Sequence, residues 1–236
     1  MSATANFGRS ARAPPRVHLH DEPGHARETR MDLRKKTLGA TERDEGARSA
    51  FRERLRGVDP KRLVFVDESS TNIVLTPRYA RAPKGERAYG KAPRNWGENI
   101  TLISSITAEG MGPSMSIEGS SDTESFGLYM RNILAPRLED GQIVIMGNLS
   151  VHKSAWVREL IEEKECQLWL LPSYSPDFNP MEEAFSKVKN LLRKAKARTL
   201  EALFEVTGGA LRAVSKEDAL GYFEHCGYRA LQDRLL

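Results

Sequence analysis

The sequence lacks any long hydrophobic run. Its apolar stretches, such as residues 63–66 and 168–171, fall far short of the roughly 18 residues that a membrane-spanning helix needs. Residues 1–30 also lack the apolar block of a secretory signal, and their acidic side chains are atypical of a transit peptide. We therefore expect no membrane partner and a cytoplasmic location.

Cysteine is scarce as well. The 236 residues include two, Cys166 and Cys226, and neither lies in a CxxC or Cys/His spacing. This excludes a disulfide framework and a zinc cluster, so we expect both thiols to be reduced and structural. The composition, 39% hydrophobic and 29% charged, is typical of a globular chain that buries one good core.

The net charge of +4 is unevenly distributed. Residues 1–62 carry 15 basic and 9 acidic side chains, whereas the remainder carries 21 and 23. Residues 1–32 are rich in Arg, Pro and Gly and show no periodicity, which predicts a disordered basic tail. This tail is either a solvated leader without a role or a DNA contact. Residues 33–236 are predicted to form one domain.

Hydrophobic patterning predicts an α/β domain, a mixed sheet flanked by helices. The strand–helix–strand order of its second half predicts a right-handed parallel crossover. The first strand is expected to end on Asp67. The predicted strands cover residues 62–67, 99–107, 112–118, 142–146 and 167–171, with one or two irregular hairpin strands in 76–98. The predicted helices cover residues 41 to about 57, 122–138, 154–164, a long region after Pro180, 200–214 and 219–224.

Two groups of basic residues are candidates for contacts with nucleic-acid phosphates. For the basic helix after Pro180, a solvated helix face is an equally good interpretation. The turn-rich segment 76–98 carries Tyr79, Tyr89 and Trp96 beside Arg78, Arg81, Lys84, Arg87, Lys91 and Arg94. The helix after Pro180 carries an outer set made of Lys187, Lys189, Arg193, Lys194, Lys196 and Arg198.

Three positions are expected at the edge of the sheet where open α/β folds place their sites. They are Asp67, position 147 after the fourth strand, and Glu182 after Asn179 and Pro180. Clustered carboxylates there suit a pair of Mg²⁺ ions for phosphodiester chemistry. A purely structural role is the alternative, since Asn179 suits an N-cap and Glu182 the acid of a capping box. Asp67 likewise suits a bond within a neighbouring turn.

Three segments resemble the bacterial insertion sequence 630 transposases, relatives of the mariner superfamily. They read FVDES at 65–69, NLSVHK at 148–153 and LPSYSPDFNPMEEAFSKVKNLLRK at 171–194, and the resemblance extends over about residues 33–228. It implies a ribonuclease H-like fold and DNA as the partner. It also implies an aspartate, aspartate, glutamate triad that binds two Mg²⁺ or Mn²⁺ ions to cut and join transposon ends, with Asp67 and Glu182 as its first and last members.

The chain departs from this family at the central acid. The family separates its second acid from the final glutamate by thirty-four residues, and counting back from Glu182 leads to Gly147, within IMGNLSVHK. Glycine supplies no side-chain ligand, and the neutral amide of Asn148 is a poor substitute. Glu68 and Glu183 are each displaced by one residue from a family acid. We therefore expect crippled metal binding and catalysis.

Three hypotheses follow. The first is a DDE transposase catalytic domain, with impaired cleavage, a homodimer as one arrangement, and a separate helix-turn-helix half. The second is a noncatalytic nucleic-acid-binding remnant, and the third is a plain α/β domain whose acids only cap helices. Residues 1–30 show no two-helix pattern, so a truncated copy or a protein encoded in two frames is expected. We expect Asp67, the Gly147 backbone and Glu182 to converge, and DNA binding to be weak and salt-sensitive with little sequence preference.

Overall fold

The computed structural model describes residues 40–77, 79–95, 97 and 99–229. The basic tail predicted for residues 1–32, the start of the predicted domain and Arg78 lie outside the described residues. Within the described ranges, no helix is both long enough and apolar enough to cross a membrane.

A five-stranded mixed sheet forms the centre of the fold. Its order is β3-β2-β1-β4-β5. The first two pairings, β3 with β2 and β2 with β1, are antiparallel, whereas β1 with β4 and β4 with β5 are parallel. The predicted α/β class is confirmed. The strands are β1 (Leu63–Thr71), β2 (Ile100–Thr107), β3 (Gly110–Glu118), β4 (Ile143–Met146) and β5 (Gln167–Leu170).

Helices cover both faces of this sheet and divide the core into two parts. Leu63 and Phe65 of β1 pack into a cluster with α1, α4, α5 and α6, whereas Val64 and Val66 pack into a cluster with α2 and α3. Because side chains alternate along a strand, Asp67 belongs to the face covered by α4. The helices are α1 (Glu45–Arg54), α2 (Thr123–Leu128), α3 (Ala155–Glu162), α4 (Pro180–Ala195), α5 (Leu200–Arg212) and α6 (Lys216–His225).

Two predicted helices differ from the structure. The first begins at Glu45 rather than Thr41, because Asp44 is its N-cap and accepts a hydrogen bond from the Ala47 amide at 2.9 Å. The helix predicted for 122–138 is confirmed in extent, with helical residues from 123 to 137, but not as one regular α-helix. It is divided into α2, a π-helical turn at Tyr129–Leu134 and a 3₁₀ turn at Ala135–Arg137, where Pro136 lacks the amide that would continue the helix.

The hairpin strands predicted for 76–98 are also wrong. None of the described residues in that segment belongs to a strand. Three prolines, at positions 77, 83 and 93, remove amides that a strand ladder would use. Tyr79 and Tyr89 are 91% and 90% exposed, so they supply no packing that would hold a hairpin. The segment joins β1 to β2 as an exposed connection.

Strand β1 does not end on Asp67. It continues to Thr71 because β2 pairs with it antiparallel as far as Thr71, opposite Ile100. Its parallel neighbour β4 is shorter and ends at Met146, opposite Val66. Asp67 therefore lies within a strand, at the level where the adjacent strand stops and the sheet opens into a cleft.

Candidate active site

Asp67 and position 147 are neighbours across two strands. The parallel register pairs Val66 with Met146. The residues that follow them, Asp67 and Gly147, therefore lie level with each other. Asp67 and Gly147 line one cleft together with Glu182. The three positions that sequence reasoning selected thus converge at one edge of the sheet.

Each carboxylate oxygen of Asp67 accepts one hydrogen bond. Oδ1 accepts from the Glu68 amide and Oδ2 accepts from Nδ2 of Asn179, both at 2.8 Å. The side chain is half-buried. Burial raises the pKa of Asp67 to about 6, and the negative charge of Glu182 adds to this rise, while the two hydrogen bonds oppose it. The ionised carboxylate of Asp67 is therefore only partly compensated by its two hydrogen bonds in the folded chain.

Glu182 lies in the first turn of α4 with its side chain exposed. The helix is capped by Asn179, whose Oδ1 accepts from the Met181 amide at 3.1 Å, as its position before Pro180 predicts. The capping-box alternative for Glu182 is wrong, because its carboxylate makes no such bond within the described part of the chain. That carboxylate is free to act in the cleft.

Two clefts meet at the pair of acids. The first, of about 480 Å³, contains Gly147 and the apolar side chains of Leu149 and Tyr174. The second, of about 620 Å³, contains the cationic side chains of Lys189 and Arg193. Asp67 and Glu182 line both. A long polyanion that spans both clefts would thus contact the apolar side chains of the first cleft and the cationic side chains of the second.

The backbone at Gly147 does not require glycine. Its φ lies outside the left-handed region, and an added Cβ would have Nδ1 and Cε1 of His152 as its nearest neighbours, at 3.8 and 3.9 Å, which is ordinary contact. Nδ1 of His152 donates to the Gly147 carbonyl at 2.9 Å, and burial lowers the pKa of this imidazole. A side chain can therefore begin at position 147 without backbone strain or a close contact of its Cβ.

The residues at the cleft fit a divalent cation only in part. Asp67 and Glu182 offer the hard oxygen ligands that Mg²⁺ and Mn²⁺ prefer. Within the ranges that the structure describes, however, no group of three or more His, Cys, Asp or Glu side chains is placed to hold a metal ion. Gly147, between them, supplies no side-chain oxygen.

Comparison with known proteins identifies the family. The profile described as DDE superfamily endonuclease matches residues 62–204. The chain belongs to this family. A curated relative, the transposable element Tc1 transposase of Caenorhabditis elegans, is 24% identical over 161 residues, which are 64% of this chain and 59% of the relative.

Solved transposase structures have the same fold as this DDE domain. The pre-cleavage Mos1 transpososome matches with a TM-score of 0.64 and 16% identity, covering 85% of this chain and 65% of that one. The Mos1 mariner paired end complex with Mn matches with a TM-score of 0.62 and 16% identity, at the same coverage. The expected ribonuclease H-like fold is confirmed, and the chain spans less than two thirds of these relatives' length.

The basic residues of α4 line two adjoining grooves of this DDE domain, and their contact with DNA phosphates stays a prediction. Lys189 and Arg193 lie about two and three helical turns after Glu182 and line the acidic cleft. Burial and Arg193 lower the pKa of Lys189, while the two acids raise it. Lys187 and Lys194 line a separate groove beside Tyr222.

Two members of that basic set, Arg198 and Lys187, bond to other parts of the protein. Arg198 donates to the carbonyls of Ile73 and Leu75 at 2.7 and 3.1 Å, so it fastens the chain after β1. Lys187 forms an ion pair with Asp218 of α6. By contrast, the basic side chains described in the β1–β2 connection are exposed to solvent: Arg81, Lys84, Arg87, Lys91 and Arg94.

Sequence reasoning missed one residue of the site. Asn179 was recognised as a helix cap, but its amide also contacts Asp67, which is 112 positions away. Local spacing carries no signal for this second contact, because it depends on how α4 is placed against β1.

Proposed function

We propose that the chain is the catalytic-type domain of a DDE transposase of the insertion sequence 630 branch, and that Gly147 impairs its strand cleavage. The observation that carries this proposal is the position of Gly147 beside Asp67, in a cleft that also contains Glu182. The remaining motif residues surround a position that lacks its acid.

A charge argument supports the impairment. When bound, a pair of Mg²⁺ or Mn²⁺ ions activates the attacking oxygen and stabilises the leaving oxygen. Asp67 and Glu182 would hold such ions, but two divalent cations bring four positive charges and these carboxylates return two. With glycine at position 147 these two carboxylates would hold such ions incompletely, so we derive no cleavage step for the natural sequence.

DNA is the partner that the cleft suits. Lys189 and Arg193 line the same cleft as the two acids, where their charges would meet phosphates entering the site. The structural relatives include a transpososome and a paired end complex, which supports DNA ends as the substrate class and a homodimer as the functional form. The exposed basic residues of the β1–β2 connection extend this surface.

A noncatalytic DNA-binding protein is the second candidate function. It is favoured by the absence of a third metal ligand in the described residues, combined with basic side chains that are retained beside the acids. The two candidate functions differ in whether Gly147→Asp restores strand cleavage.

The test compares nicking of supercoiled and pre-cut transposon-end DNA by four proteins: the natural sequence, Asp67→Ala, Gly147→Asp and the variant that carries both changes. The natural sequence should cleave negligibly with either Mg²⁺ or Mn²⁺, Gly147→Asp should gain cleavage, and adding Asp67→Ala should abolish that gain. Robust activity of the natural protein that survives Asp67→Ala would refute the proposal. A folded Gly147→Asp protein that binds DNA but stays inactive would favour the noncatalytic candidate.

A further inference from the structure

Asn179 connects the start of α4 to Asp67. Its side chain is buried, with 6% exposure, and both ends of its amide are used. Oδ1 accepts from the Met181 amide at 3.1 Å, and Nδ2 donates to Oδ2 of Asp67 at 2.8 Å. One side chain therefore caps the helix that carries Glu182 and contacts the other acid of the site.

The helix cap fixes which end of the amide faces Asp67. An asparagine amide has an oxygen that accepts and a nitrogen that donates. If the amide turned over, its nitrogen would face the Met181 amide and the cap would be lost. The Asp67 carboxylate thus always meets a donor at this position, for as long as α4 is capped.

The turn before Asn179 is held from three directions. Arg48, whose side chain has no exposed surface, donates to both oxygens of Asp177 at 3.0 and 2.6 Å. The Phe178 ring stacks on Phe51 with centroids 5.6 Å apart, and the Tyr228 hydroxyl donates to the Phe178 carbonyl. These contacts leave Asn179 little freedom to move away from Asp67.

We propose that Asn179 is a positioning residue, which holds the Asp67 carboxylate in the orientation that receives a divalent cation. The Glu68 amide fixes one oxygen and Asn179 fixes the other, so the carboxylate plane cannot rotate without losing a bond. Each oxygen keeps lone-pair capacity for a ligand in the cleft. This inference rests on the proposed metal-binding role of Asp67.

The experiment separates the cap from the contact with Asp67. Serine caps helices as well as asparagine does, but its side chain is too short to reach Asp67 from the capping position. Mn²⁺ affinity of the full chain, measured by electron paramagnetic resonance, should fall about tenfold or more in Asn179→Ser, while thermal unfolding changes little. Asn179→Ala should lose both metal affinity and stability.

A matched control removes a cap elsewhere. Ser215 caps α6 by accepting from the Asp218 amide and makes no contact with Asp67. Ser215→Ala should therefore lower the unfolding temperature and leave Mn²⁺ affinity unchanged. This shows whether lost stability alone weakens metal binding. Because the natural affinity is expected to be low, the same comparison is repeated in the Gly147→Asp protein.

Two results would overturn the inference in distinguishable ways. Equal Mn²⁺ affinity of Asn179→Ser and its parent, in both backgrounds, would refute the positioning role alone. Absence of Mn²⁺ binding in every protein, Gly147→Asp included, would refute the metal site of the proposed function together with the positioning role.

Discussion

Replacement of Asp67 by asparagine is expected to stabilise the fold at pH 8. The pKa of Asp67 rises from 3.8 to about 6 in the folded chain, chiefly through burial. Between these values the native state holds more protons than the unfolded state, so stability falls as the pH rises through this window and stays low above it. At about 1.36 kcal/mol for each pKa unit, the ionised carboxylate costs at most about 3 kcal/mol.

The gain is reduced by one lost contact. In Asp67→Asn the new side chain can still accept from the Glu68 amide, but Nδ2 of Asn179 loses a charged acceptor, which costs about 1 to 2 kcal/mol. We therefore expect a net stabilisation of about 1 to 2 kcal/mol at pH 8 in metal-free buffer. Near pH 4 the stabilisation should vanish or reverse, because the folded carboxyl is then protonated.

The assay is denaturant unfolding of both proteins between pH 4 and pH 8, with a chelator present. Asp140→Asn makes the same chemical change at an exposed position and should stay within about 0.5 kcal/mol of the natural protein at every pH. An Asp67→Asn protein that is less stable at pH 8, or whose difference in stability is independent of pH, would show that the ionised Asp67 carboxylate does not destabilise the folded chain.

Two further predictions concern α1 and the basic side of the cleft. Asp177→Ala should destabilise the fold by about 2 to 4 kcal/mol, because it leaves the fully buried Arg48 charge without its partner. Arg48→Met should destabilise it by less, because the Asp177 side chain that is left unpaired is 48% exposed. Calorimetry that finds the opposite order would contradict this. Lys189→Ala and Arg193→Ala should each weaken DNA retention and lower the slope of log affinity against log salt by roughly one, as measured by filter binding. Lys164→Ala, an exposed lysine beyond the end of α3, should leave that slope unchanged, and retention that ignores salt would refute the DNA surface.

The five strands of the sheet could be predicted at or near their observed positions. Residues 143–146 and 167–170 are short apolar runs whose pattern depends on burial alone, and β4 and β5 are found there. The start of α4 could also be predicted, because Asn179 and Pro180 are residues that favour the start of a helix. Strand β4 and helix α4 bring Gly147 and Glu182 to the edge of the sheet beside Asp67 of β1.

Features that depend on partners far along the chain could not be predicted. The length of β1 beyond Asp67 is set by its pairing with β2, and the contact between Asn179 and Asp67 spans 112 positions. The separation of Lys189 from Lys187 into different grooves depends on which side of α4 meets α6, as the ion pair of Lys187 with Asp218 shows. The sequence therefore shows which basic side chains α4 carries but not which groove each of them lines.

The number of Mn²⁺ ions bound in the cleft can be measured by titration of the natural protein and of Gly147→Asp with transposon-end DNA present. Gly147→Asp should bind a pair of ions and the natural chain should bind fewer and more weakly, with Asp67→Ala abolishing binding in both. A natural protein that binds the full pair as tightly as Gly147→Asp would contradict the claim that position 147 is the missing ligand.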